Sequence, residues 1–313
     1  MYTIGIDIGG MSIKFGLVDC DGKISAKTVL KTPKNTEDGI NTIILGIDQL
    51  IKQANVTLSE INGVGIGCPG AVDSDKGIID VLPNLGWESI EISKILNEKY
   101  NLPVKISNDA NVATLAEAKF GSAKGYNTVI MFTLGTGVGG GIIIDGKLFE
   151  GGWSRGAELG HVTLYADGIE CTCGRRGCIE RYVSATALIE RTKLAMQNDR
   201  KSAMWDYVLG DIEKVDGKTA FECAKSGDRS ANSVVDGYVK DLGESMMNMF
   251  NMFRPEAFVL GGGVSAQGKY LTDKLIDYCE KFEYGYHNSP RTKIITATLG
   301  NDAGIIGAAA LIE

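Results

Sequence analysis

Apolar residues at every second position open the chain, a pattern that predicts strands. Ile4, Ile6 and Ile8 form the first such run, which ends at the pair Gly9-Gly10. A second run over 13–18 leads to Asp21-Gly22, a dipeptide typical of hairpin turns. We therefore expect three consecutive strands at the start of the chain, with a glycine pair directly after the first.

The apolar spacing then changes to that of a helix. Isoleucine and leucine recur at helical intervals from about 37 to 54, and helices are also expected at 92–100 and 110–121. Short strands are expected at 64–68, before Pro69-Gly70, and from 103 to Asn108-Asp109.

A second strand–glycine–strand segment, VIMFTLGTGVGGGIIIDGKLF, occupies 129–149. Asp7 of the first segment aligns with Thr133 of the second, and Gly22-Lys23 resembles Gly146-Lys147. The similarity predicts a duplicated α/β unit with one glycine loop in each half. Two such segments can also arise independently, so the repeat is one of two interpretations.

The rest of the chain is predicted to be mostly helical. Helices are expected at 180–199, 216–227, 230–253, 269–283 and 302–312, with strands at 257–260 and 293–298. The methionine-rich stretch within the third of these helices is expected to pack in the core rather than to hold a cofactor.

Bulk composition limits the classes of function. A chain of 313 residues corresponds to two domains of ordinary size. Its net charge of −7 argues against a nucleic-acid-binding surface, which is normally basic. No apolar run is long enough to span a bilayer. Because the first predicted strand begins at Tyr2, we expect no signal peptide. Four cysteines are scattered along the chain without a pairing pattern, which fits a reducing, cytoplasmic location: Cys20, Cys68, Cys223 and Cys279.

One histidine and three cysteines are clustered in the run GHVTLYADGIECTCGRRGC: His161, Cys171, Cys173 and Cys178. Imidazole and thiolate are the ligands of closed tetrahedral zinc sites. The glycines between the cysteines allow the tight turns that bring three sulfurs to one ion. The sequence therefore predicts a structural zinc site, against the alternatives of a disulfide or of reduced core cysteines.

Glu158 and Glu180 flank the cluster. Tetrahedral zinc needs no further ligands, so these carboxylates are available for another role. Asn108-Asp109 forms a second polar pair, placed between a predicted strand and a predicted helix. Asp109 is either the N-cap of that helix or a general base facing a hydroxyl, with Asn108 orienting the substrate.

Three glycine-rich turns are candidates for phosphate binding, because glycine lets backbone amides approach a ligand closely. The first, Asp7-Ile8-Gly9-Gly10, adds Lys14 and an acid that can bind Mg²⁺, although a plain hairpin is the alternative. The second, 134–141, contains five glycines between strands and matches neither a Walker A loop nor a dinucleotide loop. Gly261-Gly262-Gly263 follows a third strand.

Taken together, these motifs resemble those of the ROK family of bacterial sugar kinases and repressors. IDIGGMSIK, CPGAVD, LPNLGW, NDANVA, LGTGVGGG, GAELGH, CTCGRRGCIE, LGGGVS and NDAGIIGAA occur in the family's order across nearly the whole chain. The most specific part is GAELGH followed by CTCGRRGCIE, and the glucose-phosphorylating branch is the most similar.

The resemblance implies an actin-like ATPase (ribonuclease H-like) fold of class α/β, with two α/β domains around a cleft. We expect a small domain over 1–115, joined by a C-terminal helix at 300–313, and a large domain over 116–299 that carries the zinc loop.

The resemblance also implies the site residues. ATP, with Mg²⁺, would lie on Asp7, Gly9, Gly10, Lys14, Thr133, Gly135, Thr136, Gly137, Gly261 and Gly262. The sugar would be held by Asn84, Asn108, Asp109, Glu158, His161 and Glu180. Asp109 would take the proton from the sugar hydroxyl, and His161 would use one ring nitrogen for zinc and the other for the sugar.

Met11 departs from the family, which usually has threonine after DxGG. A threonine hydroxyl would help to hold phosphate, so we expect an altered nucleotide affinity or phosphate donor rather than an inactive enzyme.

The expected function is ATP-dependent phosphorylation of glucose to glucose 6-phosphate. The alternatives are a kinase for N-acetylglucosamine, N-acetylmannosamine, mannose, fructose or allose, or a sugar-sensing protein without catalysis. A repressor would carry an N-terminal helix-turn-helix module, for which we expect no room before Tyr2. A filament former would not need a zinc-ordered sugar pocket. The resemblance implies a homodimer or homotetramer, with no nucleic-acid or membrane partner.

Overall fold

Strands and helices alternate along the chain in the computed structural model, which describes residues 1–82, 85–285 and 290–312. The strands are β1 Tyr2–Ile8, β2 Ser12–Val18, β3 Ile24–Lys31, β4 Ile61–Cys68, β5 Ala71–Asp73, β6 Ile78–Leu82, β7 Trp87–Ile90, β8 Val104–Asn108, β9 Val129–Leu134, β10 Val138–Ile144, β11 Lys147–Leu148, β12 Ala257–Gly261 and β13 Lys293–Thr296. The α-helices are α1 Thr36–Ala54, α2 Ile92–Tyr100, α3 Asp109–Lys119, α4 Glu180–Val183, α5 Ala185–Asn198, α6 Met204–Tyr207, α7 Thr219–Lys225, α8 Arg229–Phe253, α9 Lys269–Phe282 and α10 Ala303–Ala309.

Two five-stranded sheets share one strand order. The first is β3-β2-β1-β4-β8 and the second is β11-β10-β9-β12-β13. In both sheets the central strand is followed by a glycine turn and then by its neighbour in the sheet, and the last two strands run parallel. The common order confirms that the two glycine-loop segments hold equivalent places, as the internal repeat predicts.

The chain forms two compact units. The first comprises Met1–Asn127, Gly141–Ala157 and Thr298–Glu313, and the second comprises Thr128–Gly140 and Glu158–Ala297. The first unit thus includes residues 116–127, 141–157 and 298–299, which the sequence analysis placed in the large domain. The division into a small domain over 1–115 with 300–313 and a large domain over 116–299 stays a prediction.

The core of the first unit depends on helix α10 lying directly on the first sheet. Ile4, Ile6 and Ile8 of β1 are almost completely buried. Gly5, between two of them, faces α10 so closely that a Cβ there would overlap the carbonyl oxygen of Ile305. The apolar last helix is therefore buried as predicted, although it is shorter than the expected 302–312.

Two regions differ from the predicted elements. The single helix expected at 180–199 is two helices, because Ser184 is extended (φ −67°, ψ 161°) and its side chain caps α5 by accepting the N–H of Ala187. A three-stranded sheet, β5-β6-β7, was not predicted. It buries Trp87, whose indole N–H donates to the carbonyl of Pro33 at 3.2 Å.

Side-chain burial bears out the expected role of the methionine-rich stretch. Met246, Met247 and Met249 are buried on α8, whereas Met252 is mostly exposed. All seven cysteines are free. Within the described ranges, none of the helices has both the length and the apolar character that crossing a bilayer requires.

Candidate functional site

The predicted metal ligands converge in the second unit. The ligand atoms of His161, Cys171, Cys173 and Cys178 all lie within 4.8 Å of one another. Cys173 and Cys178 have their sulfurs 3.6 Å apart, and the Cys171 sulfur lies 3.7 Å from His161 Nδ1. Tetrahedral zinc with ordinary bond lengths separates its ligand atoms by about 3.5–3.8 Å. The geometry therefore fits one zinc ion with three sulfurs and one imidazole nitrogen.

The backbone between the cysteines turns as the glycine spacing predicts. Gly177 has a φ of 75°, in the left-handed region that favours glycine. A Cβ there would also overlap the carbonyl oxygen of Tyr165. The amide of Cys171 donates to the carbonyl of Arg175 at 2.8 Å, which closes the turn that carries the first two cysteines.

The thiols of the cluster differ in acidity. Burial, followed by hydrogen bonds to the neighbouring cysteines, raises the pKa of Cys178 to about 12. The backbone N–H of Arg175 lowers the pKa of the exposed Cys173 thiol. A bound cation would stabilise the thiolate at all three cysteines, so metal binding is expected to release protons.

Glu180 links the cysteine loop to the glycine loop of the same unit. Its Oε2 accepts the N–H of Val138 at 2.9 Å, and its Oε1 lies 4.0 Å from the Cys171 sulfur. A Cβ at Gly137 would overlap Oε2 of Glu180. A side chain at position 137 would therefore require the Glu180 carboxylate to move, a constraint that the sequence pattern did not reveal.

Glu158 and His161 occupy a single short turn. The segment Leu159–His161 is a 3₁₀ helix, and the amide of His161 donates to the carbonyl of Glu158 at 3.0 Å. Since Nδ1 of His161 is the nitrogen near Cys171, it is the ring nitrogen placed for a metal. The second unit thus brings three predicted sugar ligands, Glu158, His161 and Glu180, into the neighbourhood of the metal cluster.

The other predicted residues of the second unit gather at one end of its sheet. Gly261 pairs with Thr133 in the parallel register of β12 and β9, so both residues lie where these strands end. The backbone carbonyls of the glycine loop that follows β9 accept hydrogen bonds from the start of α5. Gly135 O accepts the amide of Ala185 at 2.8 Å, and Thr136 O accepts the hydroxyl of Thr186 at 2.8 Å.

In the first unit, Asp7 and Lys14 face each other across the β1–β2 hairpin. They are partners in the antiparallel register, and Lys14 Nζ lies 2.8 Å from Asp7 Oδ2. The turn between them is tight, because the amide of Gly9 donates to the carbonyl of Ser12 at 3.0 Å. Met11 is 88% exposed at the tip of this turn.

Asp109 lies at the same edge of the first sheet as Asp7. Asn108 ends β8 and caps helix α3, since its Oδ1 accepts the N–H of Ala110 at 2.9 Å. The alternative that Asp109 is the N-cap is therefore wrong, because Asp109 is the first residue of the helix. Burial, and then the charges of Asp109 and Asp7, raise the pKa of the Cys68 thiol. Both carboxylates are thus close to Cys68, at the carboxyl end of β4.

Two further points complete the comparison with the sequence. Asn84, predicted to bind the sugar, lies outside the described residues. Glu150, which the motifs did not single out, accepts hydrogen bonds from Ser74 and Ser107 in the first unit. A lone glutamate after a short strand carries no sequence signal of that contact.

Comparison with known proteins places the chain in a family. The model of the ROK family matches residues 3–313. The chain belongs to the ROK family. It is 35% identical to the glucokinase of Thermotoga maritima over 318 residues, covering 100% of this chain and 98% of that protein. It is 29% identical to the xylose repressor of Caldicellulosiruptor bescii, covering 99% of this chain and 77% of the repressor.

A solved structure of similar shape comes from the same family. The ROK glucokinase from Streptomyces griseus, crystallised with glucose and AMPPNP, matches with a TM-score of 0.81 and 33% sequence identity. The match covers 100% of this chain and 99% of that one. This ROK chain therefore has the actin-like ATPase fold, of class α/β, that the sequence motifs predicted.

Proposed function

We propose that this ROK protein is an ATP-dependent hexose kinase that converts glucose to glucose 6-phosphate. The observation that carries the proposal is the placement of Asp109, an exposed carboxylate at the start of α3, at the same sheet edge as Asp7. The similarity to the Thermotoga glucokinase, which covers 100% of this chain and 98% of that protein, supports glucose as the substrate.

Phosphoryl transfer depends mainly on positioning and on neutralising the charge of the phosphates. We assign the nucleotide to the backbone amides around Gly9-Gly10, Gly135–Gly137 and Gly261-Gly262, and to the hydroxyls of Thr133 and Thr136. Asp7 is the residue assigned to Mg²⁺, directly or through water. When bound, Mg²⁺ would neutralise phosphate charge, and Lys14 adds a fixed positive charge beside Asp7.

The sugar is assigned to residues that accept hydroxyl protons. Ionised carboxylates accept hydrogen bonds only, which suits a ring of hydroxyl donors, and Glu158 and Glu180 are such groups. His161 would use Nε2 for the sugar if Nδ1 binds zinc, and Asn84 and Asn108 complete the set. Structural zinc would hold the turn that carries His161 and, through the loop, Glu180.

Asp109 is assigned as the general base. A carboxylate that accepts the proton of the attacking hydroxyl during phosphoryl transfer contributes about 10²–10⁴-fold to the rate. Its Oδ1 accepts the amide proton of Ala110 at 2.8 Å, which limits the rotation of the carboxylate.

The alternative sugar kinases differ from a glucokinase in their substrate and not in the reaction that they catalyse. Mannose, fructose, allose, N-acetylglucosamine and N-acetylmannosamine differ from glucose at positions that a pocket distinguishes by volume and hydrogen bonds. A sugar-sensing role is the second candidate, since the chain is also 29% identical to a xylose repressor. A homodimer or homotetramer stays part of the proposal.

The test is the Asp109→Asn variant in a coupled assay of ATP consumption with glucose. We expect kcat to fall by about 10²–10⁴-fold while glucose binding, measured by calorimetry, persists, because only the proton acceptor is lost. Asp21→Asn, in an exposed turn of the same unit, is the matched control. An Asp109→Asn variant with the kcat of the wild type would refute the assignment of the base.

A further inference from the structure

The strand that carries Asn108 and Asp109 is an edge strand. Among the strands in the described part of the chain, β8 lies at the end of the order β3-β2-β1-β4-β8 and pairs with β4 alone. Edge strands have one backbone side without a sheet partner. The ladder to β4 extends to the pair Cys68 and Asn108 and holds β8 from one side, so any further restraint on the β8 end comes from other contacts.

One such contact is made by the side chain of Ser107. This residue is completely buried and comes directly before Asn108. Its hydroxyl donates to Glu150 Oε1 at 2.6 Å, across a sequence separation of 43 residues. The same oxygen accepts the hydroxyl of Ser74 at 2.8 Å. Hydrogen bonds to a carboxylate are short and about twice as strong as those between neutral groups.

Glu150 is itself held at the base of a closed loop. Its carbonyl accepts the amide of Gly156 at 2.7 Å, which joins the two ends of the loop. Gly151 and Gly156, at the two ends of this loop, are in backbone contact, since a Cβ on Gly156 would come within 2.8 Å of the Gly151 Cα. Arg155 pairs with Asp80 and attaches the loop to β6. The backbone of Glu150 is therefore anchored by the loop, and its Oε1 accepts the hydroxyls of Ser74 and Ser107.

We propose that Glu150 is a positioning residue for the Asn108–Asp109 pair. By holding Ser107, it fixes the end of edge strand β8 and so sets where the carboxylate of Asp109 lies. The proposal rests on the function proposed above and adds a residue that acts through Ser107, without touching the substrate. A displacement of about 1 Å at a reacting group can cost about 10²-fold in rate, so a small shift of β8 is enough to be measured.

Ser74 and Ser107 provide a matched pair for the test. Each donates one hydroxyl to the same carboxylate oxygen, but only Ser107 lies in the strand that ends at Asn108. If Glu150 served stability alone, Ser74→Ala and Ser107→Ala would have similar effects on melting temperature and on kcat. If it positions Asp109, kcat falls in Ser107→Ala and not in Ser74→Ala.

The experiment measures kcat and KM for glucose and ATP in these two variants and in Glu150→Ala and Glu150→Gln. We expect kcat to fall about tenfold or more in Ser107→Ala and Glu150→Ala, with the KM for ATP unchanged. Glu150→Gln keeps an oxygen that accepts both hydroxyls, so it should restore kcat to within about threefold of the wild type. The cavity of about 320 Å³ beside Glu150 gives the amide room.

Several results would overturn the proposal. Equal kcat in Ser74→Ala and Ser107→Ala, in a wild-type protein that phosphorylates glucose, would overturn the positioning role alone. The same holds if Glu150→Gln is as slow as Glu150→Ala. A wild-type protein that phosphorylates no hexose would overturn the proposed function, and the positioning role with it.

Discussion

Two carboxylates that are far apart in sequence raise the pKa of one buried thiol. After burial itself, the charges of Asp109 and Asp7 have this effect on Cys68. The sequence placed both acids at the ends of strands, and the carboxyl ends of parallel strands lie at one edge of a sheet. Their proximity was therefore predictable from β1, β4 and β8. The role of Asn108 as the helix cap was not, because either residue of the pair is a good N-cap by type.

Met11 gives a prediction at the scale of one side chain. Its side chain is 88% exposed, and its backbone carbonyl accepts the amide N–H of Thr32 at 3.1 Å. Met11→Thr should therefore leave the fold unchanged and add a hydroxyl at the turn assigned to phosphate. We expect the KM for ATP to fall about threefold to tenfold, which corresponds to the net contribution of about 0.5–1.5 kcal/mol from one typical added hydrogen bond.

Steady-state kinetics at varied ATP and saturating glucose will check the Met11 prediction. Met11→Val, which has the β-branched shape of threonine without its hydroxyl, is the control. An equal change of KM in both variants would show that shape rather than the hydroxyl is responsible.

At the scale of elements, strands and helices with one apolar face were predictable, and short or interrupted elements were not. The helix α1 and the strand β12 lie close to where apolar spacing placed them. The strands β5, β6 and β7 are three to five residues long. Segments of that length contain too few alternations for a period to be recognised. The break at Ser184 was hidden because apolar residues continue on both sides of it.

The cysteine loop is an element held by two independent sets of contacts. One is the proposed metal site, and the other is the hydroxyl of Tyr165, which donates to Asp241 of α8 at 2.7 Å. Tyr165 also packs edge-on against Tyr182, with ring centroids 4.8 Å apart. Loss of the metal should therefore loosen the turn around His161 without unfolding the second unit.

We expect about one zinc per chain in protein purified without chelator. Cys173→Ser should lose the zinc and raise the KM for glucose about tenfold, while the far-ultraviolet circular dichroism stays unchanged. Cys20→Ser is the matched control, because both cysteines are exposed and only Cys173 belongs to the cluster. Metal analysis near zero for the wild type, or full zinc content in Cys173→Ser, would contradict the assignment.

At the scale of the whole molecule, the sequence predicted the repeat that organises the chain. Both five-stranded sheets have the same strand order, and each places a glycine turn after its central strand. The division into units was harder to predict. Residues 141–157 return to the first unit after 128–140 have entered the second, and no change of composition marks these crossings.

The contacts that a sequence pattern cannot predict are those that a buried side chain makes with other parts of the folded chain. Glu117 is fully buried, with its carboxylate accepting amide protons of Ser122, Thr298 and Leu299. Glu150 makes the equivalent kind of contact to Ser107. In the sequence both appear as ordinary glutamates, because their partners are brought to them only by the folded chain.

The most direct test of the central claim is a coupled assay of ATP consumption with the wild-type protein. It should use a panel of hexoses and N-acetylhexosamines, with the phosphorylated product identified by mass spectrometry. We expect the highest kcat/KM for glucose, with glucose 6-phosphate as the product. If a sugar binds but no member of the panel causes ATP consumption, the result contradicts the account and indicates a sensor instead of a kinase.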